Sequence, residues 1–247
     1  MTTSTPWFSK EKREELSSGY RDLIAGALDA GDIEKARAWI DRSHEMRFIV
    51  HDNFVQAMSI FFSYLYRHFG EDEAVNAMRE ALMGFVPKWA SIKKDLTDAR
   101  GVEAGTMAWV EFVADTWRKH YGSFTVDEDD EKIIFTHKPC GSGGRLMNAE
   151  LTGGPVGYET IRKAGPWTWG EENVPIYCAH CCWAHEIIPV SIAGPGAQFW
   201  IHATPFPRKS GDPCVHYIYK NPEDIPEHYY RRIGLDKSKT DTAKQKE

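Results

Sequence analysis

The residues able to do chemistry cluster in four short segments: His137-Lys-Pro-Cys140, Cys178-Ala-His-Cys181-Cys182, His185-Glu186 and Cys214-Val-His216. Thiolate sulfur and imidazole nitrogen are donors that zinc and iron prefer, and a gap of two residues between donors, as in the first two segments, recurs at metal sites. If residues 173–188 form a helix, Cys178, Cys181 or Cys182, and His185 share one face at spacings of three, four and seven. If residues 214–220 form a strand, Cys214 and His216 point to one side of its sheet. A loop, a helix and a strand would then supply one cluster. The set expected to hold a metal is Cys140, Cys178, Cys181 and Cys214, with zinc as the first choice of ion and iron as the second. His185 or His216 is the alternative for one of the thiols. Four thiolates would close the site around a structural ion, whereas three protein ligands would leave a position for water. The competing reading is plain: free cysteine is among the most buried residue types and often only fills a core.

Two kinds of reactivity follow from these segments. In a metal-dependent hydrolase, water activated at the metal attacks the substrate while Glu186, His185 or His180 moves protons. In a metal-free enzyme, Cys181 or Cys182 becomes the nucleophile, with His180 or His185 beside it to generate the thiolate. A third reading involves no turnover: a small-molecule-binding or sensory module that carries a structural zinc.

Cys140-Gly-Ser-Gly-Gly-Arg145 is the second feature. Its glycines permit positive φ and close backbone approach, so Gly143 and Gly144 could form a nest of N–H groups for a substrate carboxylate, clamped by Arg145. The loop lacks the Lys-Ser/Thr ending of a P-loop and does not match the dinucleotide fingerprint, which argues against a nucleotide. The plainer alternative is a tight turn after a strand. Trp169, in the Trp167-Thr-Trp169 loop, is a candidate cover for the ligand, although indoles also bury well in small cores. His44, Glu45, His51 and Asp52 form a further polar group on an apolar helix, either lining a pocket or lying at the helix's wet edge.

Pro139-Cys-Gly-Ser-Gly-Gly-Arg-Leu146, Tyr177-Cys-Ala-His-Cys181 and Asp212-Pro-Cys214 followed by Tyr217-Ile-Tyr-Lys220 together resemble a family of bacterial proteins, most of them without an assigned function. The likeness covers most of the chain after Gly122. More weakly, a helix followed by two strands and Gly-Asp-Pro-Cys214 resembles the L-2-amino-thiazoline-4-carboxylate hydrolase family and the small-molecule-binding domains of the vinyl reductase type. That resemblance implies a late strand of a ligand domain bearing Cys214, and hydrolysis of a C–N bond in a small acidic or heterocyclic substrate. The CGSGGR loop and the Cys181-Cys182 pair depart from that hydrolase pattern.

The elements that must position these residues fall into two halves. Residues 11–30 are amphipathic and end at Gly31, a suitable helix stop. Asp32 can cap the next helix, whose apolar spacing at Ile33, Ala36, Trp39 and Ile40 continues to Phe69, before Gly70. Between Phe48 and Phe69 apolar residues lie almost all the way round, which predicts burial by neighbours or by a second subunit in a homodimer. Residues 71–85 and 105–121 are further helices, with Pro87 breaking the chain between them. After Gly122 the period changes: residues 123–126 and 132–136 are strands joined by the acidic turn 127–131. A helix starting near Asn173 and Pro175 is expected to stop at Pro189, and residues 198–204 and 214–220 read as two strands.

The fold class expected is therefore α+β, with a helical region at 1–121, a smaller β-rich, cysteine-bearing ligand or metal domain at 122–233, and a disordered charged tail at 234–247. The chain has 247 residues, 42% hydrophobic and 27% charged, enough for a sizeable core. Its net charge of -6 recommends no nucleic-acid partner. The greasiest stretch, residues 54–69, is interrupted by Gln56, Ser59, Ser63, Arg67 and His68, so no membrane span is expected. Five cysteines without a signal-peptide core suggest reduced thiols in the cytoplasm. A small molecule is the expected partner.

Overall fold

The computed structural model describes residues 7–148, 158–194, 200–204, 206–209 and 211–237. The parts of the glycine-rich stretch at 149–157, of the expected strand at 198–199, and of the expected tail at 238–247 lie outside the described residues. The architecture is α+β, with helices dominating the N-terminal half and a small antiparallel sheet following.

The chain divides into two compact units, residues 1–53 and 54–247. The first carries α1 (Lys10–Ser17), α2 (Tyr20–Asp29) and the beginning of α3 (Ile33–Phe69). The expected single helix over residues 11–30 is two helices, because Ser18 turns extended and Gly19 caps the start of α2. Gly31 takes the positive φ that ends α2, and the Asp32 side chain accepts from the Lys35 N–H at 3.0 Å to start α3.

The second unit contains the rest of α3, then α4 (Glu71–Met83), α5 (Val86–Arg100) and α6 (Val102–Lys119). Pro87 does not break the chain into loop as expected. It sits in the first turn of α5, where its missing N–H would have had no intrahelical partner anyway. No described helix is long and apolar enough to cross a membrane. The face of α3 expected to be buried all round leaves Phe54, Phe61 and Phe69 more than half exposed.

The expected hairpin is present as β1 (Phe124–Glu128) and β2 (Lys132–His137). Asp129 holds its turn by accepting from the Glu131 and Lys132 N–H groups, each at 2.9 Å. After β2 come α7 (Gly143–Leu146), β3 (Thr160–Ile161) and β4 (Val174–Pro175). A helical run then follows in four pieces: a 3-10 turn (Ile176–Cys178), α8 (Ala179–Cys181), a π-turn (Cys182–Ile187) and α9 (Ile188–Ala193). Pro189 was expected to stop this helix, but it lies inside α9. The widened π-turn just before it relieves the backbone that a proline would otherwise crowd. Strands β5 (Ile201–Thr204) and β6 (Cys214–Tyr219) and a last helix, α10 (Glu227–Arg231), follow.

The larger sheet has the order β1-β2-β6-β5, antiparallel throughout. Its inner face meets the helices in one core, where Trp109, Val113 and Trp117 of α6 join Met78 of α4, Phe135 of β2 and Ile218 of β6. Burying Trp109 and Phe135 completely contributes on the order of 2 kcal/mol for each side chain. This core runs across the boundary expected at 121/122, so α4 to α6 belong with the sheet they cover.

Candidate metal centre

The sheet register assembles the site. His137 of β2 lies opposite Cys214 of β6, Phe135 opposite His216, and His202 of β5 also opposite His216. Because side chains alternate along a strand, His137, His202, Cys214 and His216 all project from one face. That face is the covered one, and His137, His202 and His216 are at most 1% exposed. Trp117 of α6 packs on two of the rings, with centroids 4.2 Å from His137 and 4.8 Å from His216.

The π-turn brings the remaining donors. His185 is buried, and its Nδ1 lies 2.8 Å from His202 Nε2, with the two rings nearly parallel at 4°. One of these nitrogens must carry the shared proton while both rings are neutral. The Cys214 Sγ lies 3.1 Å from His216 Nε2. Two sets of donor atoms lie mutually within 4.8 Å: Cys181, His185 and His202, and then His202, Cys214 and His216. A tetrahedral zinc would hold sulfur and nitrogen ligands about 3.5 Å apart, inside that span. His202 belongs to both sets.

These buried Cys/His groups can hold a metal ion, and the unsatisfied nitrogens around them fit one. Both ring nitrogens of His137 and the Nδ1 atoms of His202 and His216 are buried without a hydrogen-bond partner among the described residues. Buried polar atoms left so are uncommon in proteins and call for a cause. Burial holds the imidazoles neutral: His137 is pushed down to about 3, first by desolvation and then by His120. His185, His202 and His216 are driven well below 6.5, again by burial first and by neighbouring histidines second. Neutral imidazole is the form that ligates a metal.

All five cysteines are free, and only Cys181 is partly exposed. Burial raises the thiols of Cys178, Cys181 and Cys214, and each is raised further by the nearby Cys140. Cys140 therefore lies near the other three thiols. The closest donor groupings nevertheless pair Cys181 and Cys214 with histidines rather than joining the four thiols. Of the vicinal pair, Cys181 joins a donor group, while the Cys182 thiol turns away to donate to the Pro166 carbonyl at 3.2 Å.

The glycine loop has a different task from the one expected. Gly141, Gly143 and Gly144 do not adopt positive φ, and Gly143 and Gly144 lie in the short α7 rather than in an anion nest. A Cβ on Gly143 would fall 2.8 Å from Cys178 Sγ, and one on Gly144 would fall 3.2 Å from the Cys140 and Pro139 Cβ atoms. The glycines let the two cysteine segments approach. Arg145 is buried at 6% exposure, and its N–H donates to the Cys140 carbonyl at 3.1 Å.

Glu186 and Trp169 belong to a structural network. Glu186 is fully buried, and both its oxygens take hydrogen bonds from Arg232 at 2.8 and 2.9 Å. Its Oε1 also accepts from the Trp169 indole and from the His202 backbone N–H, each at 2.9 Å. With four hydrogen bonds, three of them on Oε1, this carboxylate is bound into the network that fixes His202. Trp169 is 3% exposed, so it supports this network and does not cover an open ligand site. Sequence reasoning did not single out His202 or Arg232. His202 has a signal in hindsight, since it alternates with Trp200 in a segment already read as a strand.

A cavity of about 250 Å³ opens beside the first donor set. Phe62, Met78, Leu82, Trp89, Trp117 and Trp200 help wall it, and His180, Cys181 and His185 line it too. Among the described residues lining it there is no Asp, Glu, Lys or Arg. His180 has a fixed tautomer. Its Nδ1 bonds to the Tyr177 carbonyl, which can only accept, so the proton sits on Nδ1 and the lone pair on Nε2. Burial lowers the pKa of this ring, opposed only by that bond, and its Nε2 lies 3.5 Å from Cys181 Sγ. Comparison of the chain with protein-family models, with curated proteins and with solved structures returned no match.

Proposed function

We propose that this protein is a metal-dependent hydrolase that acts on a C–N bond of a small molecule held in the apolar cavity. The observation that carries the reading is that Cys181 and His185, two members of a metal-competent donor set, also line the cavity. Zinc is the ion that best suits mixed sulfur and imidazole donors, with iron second. Cys181, His185 and His202 would hold it on the cavity side, with Cys214 and His216 behind. When bound, the ion supplies Lewis acidity and an activated water. His180, with its lone pair on Nε2 and lining the cavity, takes the proton-transfer role, since Glu186 is paired with Arg232 and does not line the cavity. The C–N bond as target comes from the weak resemblance to the thiazoline carboxylate hydrolases.

One observation favours a second reading. The His202, Cys214 and His216 set is buried throughout, as a closed structural site would be, and the cavity would then take an effector without turnover. A metal-free cysteine enzyme gains no support. Burial raises the thiols of Cys181 and Cys182 well above the ordinary range, and the charge of Arg232 near Cys182 only partly opposes this.

The test is elemental mass spectrometry of the purified full chain, joined with the Cys181→Ser variant. About one zinc or iron per chain, with metal and turnover lost together on Cys181→Ser, is the expected result. Metal retained at full level by the variant would favour the closed site. Absence of metal with several freely reactive thiols would overturn both readings.

A further inference from the structure

We infer that the cavity takes an uncharged aromatic or heteroaromatic molecule of one or two rings, and not the small acid that the sequence also allowed. The inference rests on the proposed function for what happens to that molecule, but its basis is the cavity wall itself.

Three observations select the class. The first is charge. Burying a carboxylate without a partner costs several kcal/mol, and the described lining residues include no Lys or Arg to supply one, so only an ion bound at the donor set could offset that cost. Arg145, the clamp expected from sequence, is not among the lining residues. The second is shape and surface. Trp89, Trp117 and Trp200, with Phe62, Phe85 and Tyr177, give the cavity an aromatic wall, which favours offset or edge-on packing against another ring. Trp200 and His185 already stand 3.9 Å apart, so the aromatic wall reaches the donor set. The third is size. An apolar cavity of about 150 Å³ accepts benzene, so one of about 250 Å³ has room for one or two fused rings.

The polar lining includes Cys181 and His185 of the donor set together with Thr116, His120 and Ser142. His180 offers Nε2 as an acceptor, and Cys181 and His185 stand beside it. Thr116 is already committed, donating to the Phe112 carbonyl at 3.0 Å. A heterocycle with one polar edge and an otherwise apolar body therefore fits with its polar edge towards the donor set.

Benzimidazole and benzimidazole-5-carboxylate, titrated at pH 8 into the purified full chain with its metal content recorded, test this assignment. The two share a ring system and differ in charge. Benzimidazole is expected to bind at least tenfold tighter by calorimetry. Ala81→Trp, which fills the cavity from an exposed position on α4, is expected to weaken benzimidazole at least tenfold while leaving metal content unchanged. Equal or tighter binding of the carboxylate overturns the assignment whether or not the variant folds. So does benzimidazole binding that Ala81→Trp leaves untouched. Metal-free protein that still prefers benzimidazole would sink the hydrolase and leave the ligand class standing.

Discussion

Two stretches of this chain carry the same mixture of histidine and carboxylate, and the fold treats them in opposite ways. On α3, His44 and Glu45 are exposed, Glu45 pairs with Arg42 at 3.1 Å, and His51 meets its own neighbour Asp52 at 3.1 Å. On the π-turn, His185 and Glu186 are buried, and their partners come from β5, from the loop before β4 and from beyond α10. The two pairs of this stretch, Arg42–Glu45 and His51–Asp52, lie within three residues along the chain. The π-turn pairs span 16 to 46 residues. The pairs described on α3 join near neighbours along one helix, whereas the donors around the π-turn come from several elements and are held in place by the whole core. Only the second arrangement fixes the geometry that ligation demands.

The largest expected contrast is in stability. Glu186→Gln leaves the Arg232 guanidinium without its counter-charge at a buried site, and breaking a buried pair in this way costs about 3–5 kcal/mol. Glu45→Gln breaks a pair whose side chains are both more than half exposed, and should change stability by no more than about 0.5 kcal/mol. Urea unfolding of both variants measures the difference directly. Similar losses in the two would show that the Glu186 network is not the anchor described.

How much of this contrast was legible in the sequence depends on the element. The strands were, because their alternation is local: Cys214 and His216 were expected on one side of a strand, and they lie there. The long α3 was also readable from its unbroken apolar period. Two prolines misled for a physical reason. A missing N–H does no harm in a first helical turn or beside a π-turn, and nothing local marks either context. His202 was passed over because its importance lies in pairing with His216, and the register between two strands leaves no imprint on either strand alone. The CGSGGR loop misled differently. Glycine needed for close approach and glycine needed for positive φ look alike until the neighbour is known.

The next contrast concerns metal affinity. His202→Ala removes the one residue common to both donor sets, and should weaken metal binding by more than a hundredfold, since losing even a group that only holds a ligand in place costs tenfold to about a hundredfold. His51→Ala on α3 should leave affinity unchanged. Competition against a chromophoric chelator separates the two variants. Equal affinity in His202→Ala and the parent would remove His202 from the ligand set and leave Cys214 and His216 without their link to His185.

The smallest effect is on pH dependence, and it isolates His137. Its folded pKa is pushed down to about 3 from 6.5, mainly by burial. Above about 6.5 neither state takes the proton, so the ring costs nothing. As pH falls below 6.5 the unfolded chain binds a proton that the folded chain refuses, and stability drains until pH approaches about 3. A single such ring costs about 1.4 kcal/mol per pH unit within that window. His185, His202 and His216 are depressed in the same direction and add to the slope. His137→Phe keeps a flat ring against Trp117 and removes one proton site, so unfolding free energies measured in chelator between pH 6 and pH 5 should fall less steeply by about 1.4 kcal/mol per unit. An unchanged slope would mean that His137 already protonates in the folded chain, and that the covered face of the sheet is wetter than its burial implies.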